Sequence, residues 1–119
     1  MKSSDHLKKL EDEGFCLICK TSDLQESIGK KIIVNDVEVA VFKIKSEAFA
    51  LSNICPHQQT HLIYDGFIED EFVVCPAHGW KFNLRTGKND SSGNGLDSYP
   101  VQIYEDKVFI KVHPKKINW

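Results

Sequence analysis

Two short segments of the chain each combine one cysteine with one histidine. Cys55-Pro56-His57 is followed, after 17 intervening residues, by Cys75-Pro76-Ala77-His78. Thiolate and imidazole groups bind zinc and iron, so one metal centre could take all four side chains. Zinc fingers, however, usually place a cysteine pair before a histidine pair. Mixed pairs suit a two-iron cluster in which one iron takes both cysteines and the other takes both histidines.

The residues around these ligands also fit a cluster that carries electrons. Neutral imidazoles donate less negative charge than thiolates, so the histidine-bound iron is the one that accepts the electron. Pro56 and Pro76 stiffen the backbone after each cysteine. Gly79 allows either a positive φ angle or close backbone approach, and both would let main-chain N–H groups point at cluster sulfurs. Such hydrogen bonds tune the reduction potential.

Composition limits the kind of protein that presents these loops. The 119 residues predict one domain, residues 1–119, and 15 Lys and Arg against 17 Asp and Glu give a net charge of −2. That balance argues against a nucleic-acid partner. The first ten residues lack a signal-peptide core, and no stretch has the ~20 apolar residues of a membrane span. We therefore expect a soluble cytoplasmic protein, in which cysteines serve metal or redox chemistry before disulfides.

The two loops must be positioned by the short apolar runs of the chain, which are rich in Val, Ile and Phe. Turn-like pairs such as Asn35-Asp36 separate these runs. This spacing predicts an all-β sandwich or barrel. A short helix is predicted from Asp5 to Glu13, ending at Gly14. The predicted strands are Phe15 to Cys19, Lys31 to Val34, Val37 to Ile44, Ala48 to Ser52, Phe67-Ile68, Phe72 to Val74, Trp80 to Leu84, Val101 to Tyr104 and Val108 to Val112.

The sequence resembles the Rieske ferredoxin family over about residues 15–113. The family signature is Cys-x-His, a gap of about this length, then Cys-x-x-His, and the segments 40–52, 75–88 and 99–112 resemble its flanking strands. The resemblance implies an antiparallel β-sandwich or barrel base, about 15–52 and 89–113, with an inserted cluster-binding subdomain of two loops, about 53–88. It also implies one Rieske [2Fe-2S] cluster per chain. Its ligands would be Cys55, His57, Cys75 and His78.

The function that the resemblance implies is one-electron transport. Ferredoxins of this kind pass electrons from an NAD(P)H-dependent flavoprotein reductase to a terminal oxygenase, in transient complexes and without turnover of their own. The catalytic component of such an oxygenase needs a further iron site, but only 41 residues follow His78 and they contain only His113. The small accessory subunit of a nitrite reductase-type complex, whose overall pattern is similar, remains the alternative.

Several positions depart from the pattern of the family. High-potential respiratory members carry two more cysteines, joined in a disulfide, where this chain has Thr60 and Ala77. They place a serine and a tyrosine near the cluster where this chain has Trp80 and Phe82. Without these donors we expect a reduction potential of about −150 mV, near the low end of the Rieske range. Gln59 stands where relatives usually have glycine.

Other reactive side chains have simpler expected roles. Cys16 and Cys19 form a CxxC motif, but residues three apart in a strand point to opposite faces, so we expect two ordinary strand cysteines. His61 is expected to face solvent, and Trp80 either packs beneath the loops or joins a docking face. Four acidic residues form either a solvated hairpin tip or a patch that steers a basic partner. They are Asp65, Glu69, Asp70 and Glu71.

Overall fold

The fold is taken from a computed structural model, which describes residues 8–55, 60–76, 79–89 and 95–112. Residues 8–12 form a helix that places Leu10 in a buried position. Gly14 follows in a left-handed conformation with φ of 93°. The N–H of Phe15 then donates to the carbonyl of Leu10 at 2.9 Å, which closes the helix end. The predicted stop at Gly14 is confirmed, whereas the predicted start at Asp5 lies outside the described residues.

Strands are the main regular secondary structure in the rest of the described chain, in agreement with the all-β prediction. They are β1 (Cys16–Lys20), β2 (Lys30–Val34), β3 (Val37–Ile44), β4 (Glu47–Ser52), β5 (Phe67–Glu69), β6 (Phe72–Val74), β7 (Lys81–Asn83), β8 (Ser98–Tyr99), β9 (Val101–Tyr104) and β10 (Lys107–Ile110). Two short 3-10 turns lie between strands, at Thr21–Asp23 and Ile63–Asp65. No helix in the described ranges is long and apolar enough to cross a membrane.

The strands form three antiparallel sheets. A central sheet has the order β2-β3-β4-β8, and two three-stranded sheets have the orders β1-β10-β9 and β5-β6-β7. Strand β3 shows why the central sheet lies in the middle. Its successive residues Val39, Ala40, Val41 and Phe42 are all fully buried. Because neighbouring side chains of a strand point to opposite faces, both faces of this sheet must be covered.

Each face of the central sheet therefore packs into its own core. The core that joins β3 and β4 to β6 and β7 is called the site-side core here, and the core that joins β3, β4 and β8 to β10 is called the far-side core. The site-side core comprises Ala40, Phe42, Leu51, Cys55, Ile63, Val73, Cys75, Phe82, Leu84 and Leu96. The far-side core comprises Leu24, Val39, Val41, Ala50, Tyr99, Val108 and Ile110.

The pairing of strand β1 differs from the prediction that its two cysteines point to opposite faces. Cys16 pairs with Ile110 and Cys19 pairs with Val108, with a bulge between Leu17 and Cys19. Paired residues of antiparallel strands share a face, and Val108 and Ile110 lie two residues apart on one face of β10. Cys16 and Cys19 consequently lie on the same face. The prediction of opposite faces was wrong because the bulge adds one residue to the alternation.

Candidate metal centre

Both candidate cysteines lie where a central or site-side strand has just ended. Cys75 follows β6 directly, and Cys55 follows β4 after two residues. Their side chains belong to the site-side core, with exposed fractions of only 2% for Cys55 and 1% for Cys75. None of the four cysteines of the chain, all of which the structure describes, forms a disulfide. The fold thus brings two buried thiols from distant positions into one core.

The two loops close in the same way. The N–H of Cys55 donates to the carbonyl of Thr60 at 2.8 Å, and the N–H of Cys75 donates to the carbonyl of Trp80 at 2.8 Å. In each case the cysteine bonds to the residue five positions later, so each loop starts and ends at a fixed point. These bonds hold the base of both loops while leaving the residues between them to meet a ligand.

Gly79 explains how the second loop returns to its strand. Its φ is +75°, and its N–H donates to the carbonyl of Cys75 at 2.9 Å. A Cβ atom at this position would meet nothing within 4 Å among the described residues, so close packing is not the constraint. Of the two roles predicted for this glycine, the left-handed backbone is the one observed.

The two candidate histidines, His57 and His78, lie outside the described residues, as do Gln59 and Ala77. In the part of the chain that is described, no three His, Cys, Asp or Glu side chains are grouped as they would be around a metal ion. The assignment of four ligands therefore stays a prediction, of which the structure supplies the two cysteine positions.

A buried amide anchors the first loop to the central sheet. The side-chain N–H₂ of Asn53 donates to Oε1 of Glu38 and to the carbonyl of His61, both at 3.1 Å. Its Oδ1 accepts the N–H of Tyr64 at 2.8 Å. Nδ1 of His61 lies 2.8 Å from Oε2 of Glu38. The bond from Asn53 is the largest influence that lowers the pKa of Glu38, and the contact with His61 acts in the same direction.

Sequence reasoning missed Asn53, although it lies only two residues before Cys55. The only indication of its role in the sequence was its position just after the apolar strand β4, because its hydrogen-bond partner Glu38 lies 15 residues away in the chain. Replacing a fully buried asparagine that forms hydrogen bonds with three partners would lower the stability of the protein, because the partners would be left unsatisfied. Asn53 is therefore part of the framework of the site.

The remaining candidates take mostly structural positions. His61 faces solvent as predicted, with 52% of its side chain exposed. Trp80 packs on the site-side core, where its ring centroid lies 6.3 Å from that of Phe82. Asp70 and Glu71 form the exposed turn of the β5–β6 hairpin, at the end opposite Cys75. Asp70 and Glu71 therefore match the solvated hairpin tip, where Glu69 pairs with Lys81 at 2.7 Å, and Asp65 lies apart from them in the 3-10 turn Ile63–Asp65.

The described residues fit an iron–sulfur cluster. Soft thiolates are the ligands that such clusters require, and both thiols are enclosed by apolar side chains. In addition, Oγ1 of Thr60 is buried and has no hydrogen-bond partner among the described residues. Buried hydroxyls without partners are rare, so this atom indicates an acceptor that the described residues do not provide.

An all-β domain with two buried thiols at the bases of two loops suits an iron–sulfur protein. The family profile described as "Rieske-like [2Fe-2S] domain" matches residues 14–111, and the chain belongs to this family. The expected Rieske fold is confirmed, and a Rieske-type [2Fe-2S] cluster is its cofactor.

Individual relatives agree with this membership. The ferredoxin component of the alkene monooxygenase system of Xanthobacter autotrophicus is 29% identical over 105 residues, covering 87% of this chain and 86% of the relative. The ferredoxin component of the naphthalene 1,2-dioxygenase/salicylate 5-hydroxylase systems of a Ralstonia species is 30% identical, covering 76% and 88%. The solved nitrite reductase [NAD(P)H] small subunit from Erwinia carotovora is 22% identical with a TM-score of 0.74, covering 89% and 87%, a likeness in fold.

Proposed function

We propose that this chain is a one-electron carrier that passes electrons from an NAD(P)H-dependent flavoprotein reductase to a terminal oxygenase. The observation that carries the proposal is that its relatives are ferredoxin components of oxygenase systems and match along most of their own length. Two buried thiols at the bases of matching loops support it.

Cys55, His57, Cys75 and His78 are the proposed ligands of the cluster. Cys55 and Cys75 would bind as thiolates from within the site-side core, and His57 and His78 would bind as neutral imidazoles. When bound, the cluster supplies the exchange of a single electron. We assign the cluster-binding subdomain to about residues 53–88 and the base to about 15–52 and 89–113.

Hydrogen bonds within the chain fix the positions of the proposed cysteine ligands. The bonds from Cys55 to Thr60 and from Cys75 to Trp80 fix the loop bases, and Asn53 ties the first loop to Glu38 of the central sheet. A rigid site changes little between redox states, which favours fast electron exchange. We assign no catalytic residue and no turnover to the chain alone, and we place the carrier in the cytoplasm, where thiols stay reduced.

Spectroscopy of the purified holoprotein tests the cofactor and its ligands. Optical and EPR spectra before and after dithionite reduction should show a Rieske signal that appears on reduction. His57→Ala and His78→Ala should abolish this signal, whereas the matched control His113→Ala should keep it. A colourless, EPR-silent protein that retains zinc after anaerobic expression would overturn the assignment, and so would an unchanged signal in both ligand variants.

Reconstitution tests the direction of electron flow. The chain is mixed with the flavoprotein reductase and terminal oxygenase of a naphthalene dioxygenase system, and NADH-dependent product formation is measured. We expect turnover only when all three proteins are present. If the reductase reduces the chain but no oxygenase accepts its electrons, the proposed role fails while the cluster assignment stands.

A second candidate is the small accessory subunit of a nitrite reductase-type complex. The likeness in fold to the Erwinia small subunit favours it. It predicts stable association with a large catalytic subunit rather than transient encounters. Co-purification with a nitrite reductase large subunit, and stimulation of its nitrite-dependent NADH oxidation, would distinguish this role from that of an oxygenase ferredoxin.

A further inference from the structure

Thr60 has a buried hydroxyl group that the described protein does not use. Its Oγ1 has no hydrogen-bond partner among the described residues. A hydroxyl group can donate one hydrogen bond and accept two, and leaving it unsatisfied in the interior lowers the stability of the protein. If no group accepted the hydrogen of this hydroxyl, an apolar valine side chain would be more stable at position 60. We therefore expect a hydrogen-bond acceptor close to the Thr60 hydroxyl.

The location of Thr60 points to the kind of acceptor. Its carbonyl accepts the N–H of Cys55 at 2.8 Å, so the two residues lie side by side at the base of the first loop. The side chain of Cys55 is enclosed in the site-side core, whose other members are apolar or carry the second thiol. No described residue at this loop base accepts the hydrogen, whereas the sulfur atoms of a cluster bound at Cys55, including the thiolate itself, could accept it.

We propose that the Thr60 hydroxyl donates a hydrogen bond to sulfur on the Cys55 side of the cluster and thereby raises its reduction potential. This inference rests on the proposed function, since it requires the cluster at Cys55. Sulfur atoms gain negative charge when the cluster is reduced, and a hydrogen bond to them becomes stronger. Thr60 consequently stabilises the reduced form more than the oxidised form.

The test is the midpoint potential of the holoprotein, measured by redox titration with EPR detection. Thr60→Val keeps the shape of the side chain without the hydroxyl, and Thr60→Ser keeps the hydroxyl. We expect Thr60→Val to shift the reduction equilibrium about tenfold toward the oxidised form, which is about 59 mV for one electron. Thr60→Ser and the control Thr21→Val, a threonine beside β1, should keep the wild-type potential.

The outcomes separate this inference from the proposed function. A wild-type protein without a Rieske signal defeats the proposed function, whereas a valine variant with an intact cluster and an unchanged potential defeats only the role of Thr60. If Thr60→Val loses the cluster, Thr60→Ala is measured instead, and an unchanged potential in that variant overturns the inference equally. Loss of the cluster from both variants, with full retention in Thr60→Ser, supports a bond from the hydroxyl.

Discussion

The central sheet packs against a three-stranded sheet on each face, and each of these two regions contains a pair of cysteines. On the site side, Cys55 and Cys75 follow the ends of strands and are almost completely buried. On the far side, Cys16 and Cys19 lie within β1, and both are half-buried. Residue type is the same in both regions, so position in the fold must decide which pair can bind a metal.

The pKa of the Cys19 thiol bears on whether the far-side pair could bind a metal. Burial is the largest cause that raises the pKa of the Cys19 thiol above its ordinary value of 9.0, and the negative charge of Asp23 adds to it. A raised pKa disfavours the thiolate, which is the form that binds metals or attacks disulfides. Although the bulge places Cys16 and Cys19 on one face, no third metal-ligating side chain is grouped with them among the described residues. Their role as strand cysteines remains the better interpretation.

Replacing the cysteines should give the largest difference between the two regions. Cys55→Ala and Cys75→Ala each remove a proposed ligand, so we expect loss of the visible absorbance, of the reduced-state EPR signal and of bound iron. Cys16→Ala and Cys19→Ala are the matched controls and should retain all three. Iron analysis together with EPR on the four variants measures this, with far-UV circular dichroism as a check of folding. Loss of the cluster from the Cys19→Ala variant would contradict the functional distinction between the two cysteine pairs.

Two adjacent residues of β3 give the next largest effect. Phe42 packs in the site-side core with both thiols, whereas Val41 packs in the far-side core. Phe42→Ala should lower the free energy of unfolding by about 3–5 kcal/mol, and Val41→Ala, which deletes less volume, by about 2 kcal/mol. Urea denaturation measures both values.

Cluster retention tells whether the two cores are functionally distinct. We expect the cavity in Phe42→Ala to loosen the packing around Cys55 and Cys75 and to speed bleaching of the cluster, while Val41→Ala bleaches at the wild-type rate. The rates are compared at urea concentrations that give equal fractions of folded protein. Equal bleaching of both variants under that condition would mean that only global stability protects the cluster.

Much of this arrangement could be predicted from local sequence. Strands at Val37–Ile44, Phe72–Val74 and Val101–Tyr104 match their predicted ranges, because each is a compact β-branched run bounded by turn residues. Asn35 and Asp36 have φ values of 48° and 66°, as the tight hairpin between β2 and β3 demands. The spacing of Cys55, His57, Cys75 and His78, together with the flanking segments, was enough to identify the family, because cluster chemistry restricts the spacing and identity of its ligands.

Features that depend on distant partners could not be predicted. The bulge in β1 exists only through pairing with β10, about 90 residues later, so it leaves no local pattern. Strand β8 is two residues long and is defined by pairing with Ala50 and Leu51. The burial of Asn53 depends on Glu38 across the sheet, and that of the Thr60 hydroxyl depends on loop closure. Long-range contacts override local propensity in each case.

The last expected effect concerns the far-side core and its response to alkali. Tyr99 is buried in this core, and burial, with a further contribution from the charge of Asp97, raises the pKa of its phenol from 10.0 to about 12. The unfolded chain loses this proton near pH 10, while the folded chain keeps it until about pH 12. Since the unfolded state then binds fewer protons, stability falls as the pH rises from 10 to 12, by at most about 1.4 kcal/mol per pH unit.

Tyr99→Phe removes this titration, so its stability should decline less steeply than that of the wild type over the same range and equally below pH 10. Denaturant unfolding at several pH values, with tyrosinate absorbance as the monitor of ionisation, measures the difference. Parallel declines would mean that Tyr99 ionises in the folded protein as it does in water. Because Cys55 and Cys75 lie on the other face of the central sheet, the substitution should leave the EPR signal at neutral pH unchanged. That result would show that the two regions are separate in function as well as in packing.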